Sequence, residues 1–429
     1  KEDPYIIENK RIAIFDVEFT NKAFIIKNCT FSKGFQFLLW SAKLMSKIEN
    51  STFEYAEKMQ FRNIYNMLIE NCLFVSIEGD TWSIELIGSN TIAINNSLFF
   101  DVSLEILETK WLQLTDNNIR NENNSLEITD SHDIAIKNNT IFAENMVVYV
   151  AYSYNVDIAN NTFSGNYTGK ILTYRTTNIT FQRNFFTELL TVYFFVEEEI
   201  LCIEENTFLD IPRCVNLSAF KLIMNDNIFI NAIIALPNYY AYAEDFKNTE
   251  IAPEADNILF NIYYNVIEMN NNSYNGLPIN YIQNRNGLLI NTTIDGVLIL
   301  SNTLATIENI SFKQILPLII IEGSDVFIQK CTFADNFISM NVFRSKVKIN
   351  NCSFINSKNG IVALDDSNID ISNSTFTGLS AGIISALGLK ITYTNNDFNA
   401  STFGIRTYGT NSVKISNNRF YDVLWPIEI

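Results

Sequence analysis

The chain has 429 residues, of which 47% are hydrophobic, and it carries a formal net charge of −17 with a sequence pI near 4.6. This acidic balance opposes nucleic-acid binding, which needs a basic surface, and it opposes unassisted binding of acidic polymers. No run of about 18 consecutive apolar residues occurs, so the sequence predicts no membrane span.

A short phrase, Asn-x-(Ser/Thr)-Phe, returns about every 22 residues from the beginning of the chain onward. Early copies start at Asn28 and Asn50, and late copies start at Asn351 and Asn373. A period of this size is typical of one structural unit stacked on itself. The late phenylalanines follow one another at intervals of 21 or 22 residues: Phe312, Phe333, Phe354, Phe376, Phe398 and Phe420.

A short alternating stretch precedes each of these phenylalanines. Residues 156–160 read Val-Asp-Ile-Ala-Asn, and residues 369–373 read Ile-Asp-Ile-Ser-Asn. Alternation with period two indicates a strand with one buried face. About 22 residues accommodate roughly three strands of four or five residues with bends, at about 3.3 Å per residue. The repeat therefore predicts one turn of a parallel β-helix, and the Leu-x-x-Leu-x-Leu frame of leucine-rich repeats is absent.

The position three residues before the phenylalanine is the second regular feature. Stacked asparagines can hydrogen-bond along a column, and asparagine tolerates the left-handed backbone of a sharp bend. We therefore expect an inward asparagine ladder beside the phenylalanine column, with Glu205, Asp226 and Lys330 as replacements. Its members are Asn28, Asn50, Asn71, Asn96, Asn139, Asn160, Asn309, Asn351, Asn373, Asn395 and Asn417.

With these ladders the chain resembles the right-handed parallel β-helix superfamily, the pectin-lyase-like fold, from about Ile6 to Phe420. The resemblance implies an all-β chain: a single right-handed parallel β-helix solenoid of about 22 residues per turn. We expect one domain over residues 1–429, roughly 19 turns and about 90 Å long. The fold carries lyases, hydrolases, adhesins and structural proteins, so it does not by itself assign a function.

Six cysteines occur. Cys29, Cys72, Cys331 and Cys352 all lie two residues before a phenylalanine, and we expect small buried side chains there, although Cys331 and Cys352 fall on adjacent turns and can meet. Cys202 and Cys214 are 12 residues apart and form a possible disulfide across one turn; burial without a bond is the alternative.

Asn-x-Ser/Thr triplets are dense, and they are the acceptor sequence for N-glycosylation. We expect the triplets of the predicted ladder to be inaccessible, namely those at Asn28, Asn50, Asn160, Asn309, Asn351 and Asn373. We predict glycans on the asparagines outside that ladder: Asn123, Asn166, Asn178, Asn216, Asn271, Asn291 and Asn399. Such glycans indicate the secretory pathway and an extracellular or cell-surface location. Because the chain begins with Lys1, we expect a signal peptide or larger region before it.

The phrase is lost between Phe229 and Phe312, and residues 237–285 look like a tyrosine- and asparagine-rich insertion. Excursions from a solenoid often make contacts. Tyr239, Tyr240 and Tyr242 are therefore a possible contact surface for sugar rings or for a protein. Packing of these tyrosines on the helix itself is the alternative.

Catalytic patterns are not found in the sequence. We expect the one histidine, His132, to lie in a bend, and no phosphate-binding loop or metal-ligand motif accompanies it. Asp365 and Asp366 are adjacent, but no Gly-His-Gly segment follows them, as it does in polygalacturonase-type hydrolases. The arginines that a lyase would need as a base are scattered: Arg175, Arg183, Arg344 and Arg406.

The sequence therefore favours a non-enzymatic extracellular glycoprotein without cofactor or metal, a rigid β-helix rod in a surface coat or filament. We expect self-association into a homopolymer through the chain termini and the insertion. Two alternatives stay open. One is a carbohydrate-active enzyme, a polysaccharide lyase or hydrolase; the other is an adhesin that binds glycans through Tyr239, Tyr240 and Tyr242.

Overall fold

The structure is a computed structural model. It describes residues 5–18, 23–42, 44–76, 82–196, 200–219, 221–236, 259–260, 266–270, 272–274, 276–292, 294, 296–313, 318–321, 323–336 and 338–429. Every regular element in these ranges is a strand. Side chains are not described at some strand positions, among them Cys214 and Asn216. The predictions for Tyr239, Tyr240, Tyr242 and Asn271 lie outside the described residues.

The strands up to residue 236 are Tyr5–Glu8, Arg11–Glu18, Phe24–Lys27, Thr30–Trp40, Ser46–Glu49, Thr52–Glu54, Ala56–Arg62, Tyr65–Glu70, Leu73–Val75, Trp82–Ile87, Asn90–Asn95, Leu98–Phe100, Val102–Leu107, Lys110–Thr115, Asn118–Asn121, Asn124–Thr129, His132–Lys137, Thr140–Ala143, Met146–Ala151, Tyr154–Ala159, Thr162–Ser164, Lys170–Gln182, Phe185–Thr187, Thr191–Val196, Ile200–Glu204, Thr207–Ser218, Lys221–Asn225 and Ile228–Leu236.

The strands after residue 236 are Leu259–Phe260, Val266–Asn270, Ser273–Tyr274, Leu277–Gln283, Leu288–Ile290, Val297–Ser301, Leu304–Glu308, Ser311–Lys313, Leu318–Ile321, Asp325–Gln329, Thr332–Ala334, Ile338–Phe343, Lys346–Asn350, Ser353–Ile355, Asn359–Leu364, Asn368–Ser372, Thr375–Thr377, Ala381–Ala386, Lys390–Thr394, Asp397–Asn399, Phe403–Tyr408, Val413–Ser416, Arg419–Tyr421 and Trp425–Glu428.

In a typical turn of the solenoid three strands follow one another, and each pairs in parallel with its equivalent one turn later. Ser273–Tyr274 and Leu277–Gln283 pair antiparallel instead. The strand Lys110–Thr115 pairs with His132–Lys137, so that Leu112 lies beside Ile134. Asn118–Asn121 pairs with Thr140–Ala143 in the same way. Apolar residues alternate with polar ones along these strands, and the apolar ones point into the solenoid. The predicted parallel β-solenoid with turns of about 22 residues is confirmed.

The chain divides into two compact units: unit 1 comprises residues 1–232 with 264–268, and unit 2 comprises residues 233–263 with 269–429. Unit 2 contains a seven-stranded sheet that begins at Leu288–Ile290 and a six-stranded sheet that begins at Ser311–Lys313. The prediction of one domain stays a prediction.

The phenylalanine column forms a stack of rings in each unit. In unit 1, Phe31 stacks on Phe53 at 4.5 Å, and Phe208 stacks on Phe229 at 4.7 Å between ring centroids. In unit 2 the rings from Phe312 to Phe420 follow at 4.7–4.9 Å. These offsets match the spacing of paired strands, about 4.8 Å. The predicted aromatic column is therefore confirmed.

The asparagine ladder lies one residue later than predicted. Asn28, Asn50 and Asn351 have φ of 52°, 48° and 55° and are exposed. A left-handed residue turns the chain at the bend, which leaves its own side chain outside and points the next residue inward. The buried ladder runs through Cys29, Ser51, Cys72, Ser97, Asn117, Asn139, Asn161, Asn184, Asn206 and Asn227 in unit 1, and through Ile310, Cys331, Cys352, Ser374 and Asn396 in unit 2.

Asn139 shows how the buried ladder is bonded. Its backbone N–H and its Nδ2 both donate to Oδ1 of Asn161, at 2.8 and 3.0 Å. Nδ2 also donates to the carbonyl oxygens of Leu114 and Lys137, both at 2.9 Å. Asn139 belongs to this ladder because Ile141 holds the phenylalanine position in its turn. The buried amides are thus hydrogen-bonded, as buried polar groups must be.

Candidate functional site

The asparagines predicted to carry glycans are exposed wherever the structure describes their side chains: Asn123, Asn166, Asn178, Asn291 and Asn399. Exposure is what a bulky N-linked glycan requires in the folded protein. Glycosylation at these five positions stays a prediction, as it does at Asn216 and Asn271.

Asn166 lies in an exposed turn between two glycines. Gly165 and Gly169 pack so tightly that a Cβ added to Gly165 would lie 2.5 Å from Cα of Gly169. Between them, Asn166 and Tyr167 have φ of 48° and 61° and are exposed. The hydroxyl of Thr168 donates to the carbonyl of Gly165 at 3.1 Å. The backbone therefore presents the Asn166 amide at the surface.

The acceptor asparagines of the predicted ladder were expected to be inaccessible, and this expectation is wrong. Asn28, Asn50, Asn160, Asn309, Asn351 and Asn373 are all exposed, because they occupy the left-handed bend rather than the buried ladder.

Four cysteines are buried free thiols in the ladder, as expected: Cys29, Cys72, Cys331 and Cys352. The backbone N–H of Cys331 donates to Sγ of Cys352 at 3.4 Å. Hydrogen bonding with Cys331, together with burial, raises the pKa of the Cys352 thiol. Burial raises the pKa of Cys72 from 9.0 to about 11. Since the thiolate is the nucleophile, Cys72 and Cys352 suit packing better than chemistry.

Cys202 lies in the strand Ile200–Glu204 and Cys214 lies in Thr207–Ser218. On the neighbouring turns, Cys202 lies beside Thr180 and Ile223. Cys214 lies in another strand, where it pairs with Thr191. The side chain of Cys214 is outside the described residues, so the disulfide stays a prediction.

His132 begins a strand rather than lying in a bend. Its Nδ1 lies 2.8 Å from Oδ2 of Asp133, and its ring stacks on Tyr154 with 4.6 Å between centroids. Hydrogen bonds from Asn155 and from His132 lower the pKa of Asp133. The backbone of Asp133 is left-handed, with φ of 58°. These contacts hold the imidazole, which is 14% exposed, between two neighbours.

Exposed aromatic residues that the sequence did not reveal lie on the turns near His132. Trp111, Tyr152 and Tyr154 are 53%, 50% and 44% exposed. Tyr174 packs edge-on against Tyr152 at 5.7 Å, and the guanidinium of Arg175 lies 5.3 Å from the Tyr174 ring centre. The register places Lys110, His132 and Tyr154 in one column. We call Trp111, His132, Tyr152, Tyr154 and Tyr174 the aromatic corner. The recurrence of aromatic residues at intervals of 20–22 residues is the sequence feature from which it could have been predicted.

The aspartate pair lies in a bend between Asn359–Leu364 and Asn368–Ser372. Asp365 and Asp366 both have positive φ, 42° and 49°. Arg344 lies on the preceding turn, and its backbone N–H donates to the carbonyl of Asp365 at 2.9 Å. The structure thus brings one of the four arginines beside the pair, which the sequence did not reveal.

Two of the other candidate arginines pair with carboxylates on the following turn. Arg183 forms two hydrogen bonds to the Glu205 carboxylate, at 2.8 and 3.0 Å. Arg406 lies 2.7 Å from Oε2 of Glu428, and its guanidinium lies over the ring of Phe403 at 4.6 Å. Among the described residues, no group of three His, Cys, Asp or Glu side chains is placed to hold a metal.

The right-handed beta-helix region family matches residues 103–251 and 338–424 of this chain. The chain belongs to this family. The comparison with curated proteins found no match. In the part of the chain that the structure describes, no helix has the length and apolar character needed to span a membrane.

Three solved structures are similar to this chain at low sequence identity. A mutant of the PL6 family alginate lyase AlyGC is 10% identical, with 98% of this chain and 86% of that chain covered and a TM-score of 0.37. The bacteriophage CBA120 tailspike protein 3 is 9% identical, with 98% and 56% covered and a TM-score of 0.28. The Streptococcus pneumoniae surface protein and adhesin PfbA is 10% identical, with 96% and 91% covered and a TM-score of 0.24. Likeness at this level concerns the fold alone.

Proposed function

We propose that this beta-helix protein is a structural extracellular glycoprotein that self-associates into a surface coat or filament. The observation that carries the proposal is the outward presentation of Asn-x-Ser/Thr triplets in both units, for example at Asn166 in unit 1 and Asn399 in unit 2. Such triplets are glycosylated in the secretory pathway, which supports a location outside the cell or on its surface.

A rigid interior supports a mechanical role. The ladder from Asn117 to Asn227 supplies each turn with side-chain hydrogen bonds to its neighbours. From Asn161 onward a phenylalanine stack runs beside it, from Phe163 to Phe229, with ring centroids 4.6–5.1 Å apart. A repeat bonded to its neighbours in this way resists bending and local opening.

We assign the self-association surface to the aromatic corner. Exposed tyrosine and tryptophan are the residue types that supply most binding energy in protein interfaces. Trp111, Tyr152 and Tyr154 lie half-exposed on the surface of their turns, and stacking restricts the ring of Tyr154, so little side-chain entropy is lost on contact. The net charge of −17 opposes association, so assembly is expected to strengthen with ionic strength.

Sedimentation of the native glycosylated chain, followed by negative-stain electron microscopy, tests the assembly. We expect polymers that grow with salt, and their loss in the double variant Trp111→Ala, Tyr154→Ala. Tyr65→Ala is the matched control, because Tyr65 is 45% exposed but lies three turns before His132 in the same column. A native chain that stays monomeric at high concentration and high salt contradicts self-association.

The aromatic corner also favours a second candidate, an adhesin that binds glycans. Aromatic faces stack on the apolar faces of sugar rings, and Asn155 beside Asp133 supplies polar groups for their hydroxyls. Here Trp111→Ala would abolish binding on a glycan array while leaving sedimentation unchanged. Retained glycan binding in that variant excludes the corner as the sugar site.

We further propose that the chain is not an enzyme. The adjacent aspartates Asp365 and Asp366, with the backbone of Arg344 beside Asp365, both lie on left-handed bends. Polysaccharide screening for new reducing ends or unsaturated products is expected to find none. If a reaction is found, and if it disappears in the double variant Asp365→Asn, Asp366→Asn while the fold persists, the enzyme hypothesis is correct instead.

A further inference from the structure

The left-handed bend before the buried ladder carries a second set of acceptor asparagines. We call this set the bend column: Asn28, Asn50, Asn138 and Asn160 in unit 1, and Asn309, Asn351 and Asn373 in unit 2. All seven are exposed, their φ angles lie between 48° and 58°, and each begins an Asn-x-Ser/Thr triplet.

The acceptor amide and the triplet hydroxyl share the outer surface. In the triplet that starts at Asn50, the middle residue Ser51 enters the buried ladder and Thr52 precedes the inward Phe53. Because side chains alternate along a strand, Thr52 points outward when Phe53 points inward. The same arrangement recurs at every member of the bend column.

An offset of one residue keeps the buried ladder out of any triplet. A ladder asparagine is followed two residues later by the inward phenylalanine or isoleucine, as Asn161 is by Phe163 and Asn396 is by Phe398. No hydroxyl stands at that position, so the ladder amides are not acceptors. Modification of the bend column therefore leaves the interior hydrogen bonds intact.

We infer that the bend column is N-glycosylated, an inference that rests on the proposed function as an extracellular glycoprotein. In the transfer, Nδ2 loses a proton and bonds to the anomeric carbon of a sugar. The bond from that carbon to the diphosphate of a lipid-linked oligosaccharide breaks, and the lipid diphosphate leaves with the electron pair. Only the bend asparagine and the triplet hydroxyl are required of this chain.

Three pairs of the column lie on adjacent turns: Asn28 with Asn50, Asn138 with Asn160, and Asn351 with Asn373. The Asn28 N–H donates to the carbonyl of Glu49, the residue before Asn50, which fixes the offset at one turn. Adjacent turns are about 4.8 Å apart, too close for two branched glycans to project in parallel. We therefore assign one glycan to each pair.

The pair in unit 2 has a preferred member. Nδ2 of Asn373 donates a hydrogen bond to Oδ1 of Asn350 at 2.9 Å. A glycosylated amide keeps only one N–H with which to make that hydrogen bond. Asn351 shows no side-chain hydrogen bond of this kind among the described contacts. Asn351 is thus the expected site, and Asn373 carries the glycan in the smaller fraction of molecules.

Glycopeptide mass spectrometry of the native full-length protein tests the inference. We expect glycans in the bend column, one per adjacent pair, with Asn351 above Asn373. Glycans at Asn123, Asn166, Asn178, Asn291 or Asn399 with a bare bend column overturn this inference and leave the proposed function standing. A secreted protein without any glycan overturns both, and two glycans on the same molecule of a pair overturn the assignment of one per pair.

Variants produced in a eukaryotic secretory host sharpen the result. Asn351→Gln is expected to raise occupancy at Asn373 at least twofold, because the competing glycan is removed. Asn395→Gln is the matched control: Asn395 lies one turn beyond Asn373 at the same left-handed bend, with φ of 56°, but Asp397 ends its triplet. An unchanged occupancy at Asn373 in Asn351→Gln contradicts competition within the pair.

Discussion

The buried ladder has a different composition in the two units. In unit 1 it begins with Cys29, Ser51, Cys72 and Ser97 and continues as an unbroken run of amides from Asn117 to Asn227, whereas in unit 2 it passes through Ile310, two thiols, Ser374 and Asn396. Yet the N–H of Cys331 reaches Sγ of Cys352 at 3.4 Å, just as the N–H of Asn117 reaches Oδ1 of Asn139 at 2.9 Å. In both contacts the ladder residue supplies an acceptor for the N–H of the preceding turn, and asparagine also adds donors.

The largest difference is expected from removing one amide of the unit 1 ladder. The Asn161 side chain accepts from the N–H of Asn139 and donates to the carbonyl of Ile136, both at 2.8 Å. Asn161→Ala leaves these two groups without that side-chain partner. With about 1–3 kcal/mol for each of these two buried unsatisfied groups, the local free energy of opening should fall by roughly 2–6 kcal/mol. Hydrogen-exchange mass spectrometry in urea measures it.

Asn160→Gly is the control for that variant, because Asn160 is exposed with φ of 56°, which glycine adopts without strain. It should change the opening free energy by only a few tenths of a kcal/mol. Equal effects of the two substitutions would mean that the ladder bonds contribute nothing measurable.

Thiol members of the ladder titrate, whereas amide members do not. The Cys72 pKa is raised by burial from 9.0 to about 11. A raised folded-state pKa contributes stability that is complete below pH 9 and is lost as pH rises to about 11. At about 1.4 kcal/mol per pKa unit the loss approaches 3 kcal/mol. Cys72→Ser should flatten the alkaline part of the stability curve, and an unchanged curve contradicts the assignment to Cys72.

Ser374→Ala is expected to cost less than Asn161→Ala. The Ser374 hydroxyl accepts from the N–H of Cys352 at 3.1 Å and donates to the carbonyl of Ser372 at 2.9 Å. Its loss leaves one buried N–H unpaired, at about 1–2 kcal/mol. Chemical denaturation followed by exchange of unit 2 peptides reports the change, and a cost above that of Asn161→Ala would reverse the ranking.

The smallest effect is expected for Cys352→Ser. A serine hydroxyl already accepts from the preceding ladder N–H at Ser374, so the hydroxyl introduced by this substitution would do the same for the N–H of Cys331. The free energy of unfolding should change by no more than about 1 kcal/mol. Cys352→Ala, which offers no acceptor, is the comparison, and equal effects of both substitutions would show that the acceptor is not required.

The period of the phenylalanines was sufficient to predict the stack, the strands and the turn, because inward aromatic residues repeat without interruption in the late turns. It was not sufficient to place the ladder. Period-two alternation predicts which side chains face inward only while the backbone stays extended. At Asn28 or Asn351 the left-handed residue interrupts that alternation, so the side chain counted as inward lies outside.

Candidate sites were predicted less well, for a related reason. The Asn-x-Ser/Thr triplets can be read from the sequence. The exposure of their asparagines depends on the left-handed bend, and because of that bend the predicted inaccessibility of Asn50 and Asn373 is wrong. The aromatic corner joins Trp111, His132 and Tyr152 from different positions in the repeat. Only the register of the strands brings such residues together, and composition gave no indication of it.

Turn length in this protein varies while the ladder geometry does not. Ladder residues Cys72 and Ser97 are 25 positions apart, and Ser97 and Asn117 are 20 apart, yet the two N–H contacts measure 3.1 and 3.0 Å. Insertions and deletions at the corners therefore leave the geometry of the buried ladder unchanged. Descendants of one ancestral gene can diverge in outline, antigenicity and loop content while sharing an unaltered frame, and foreign peptides grafted at a corner should be carried in the same way.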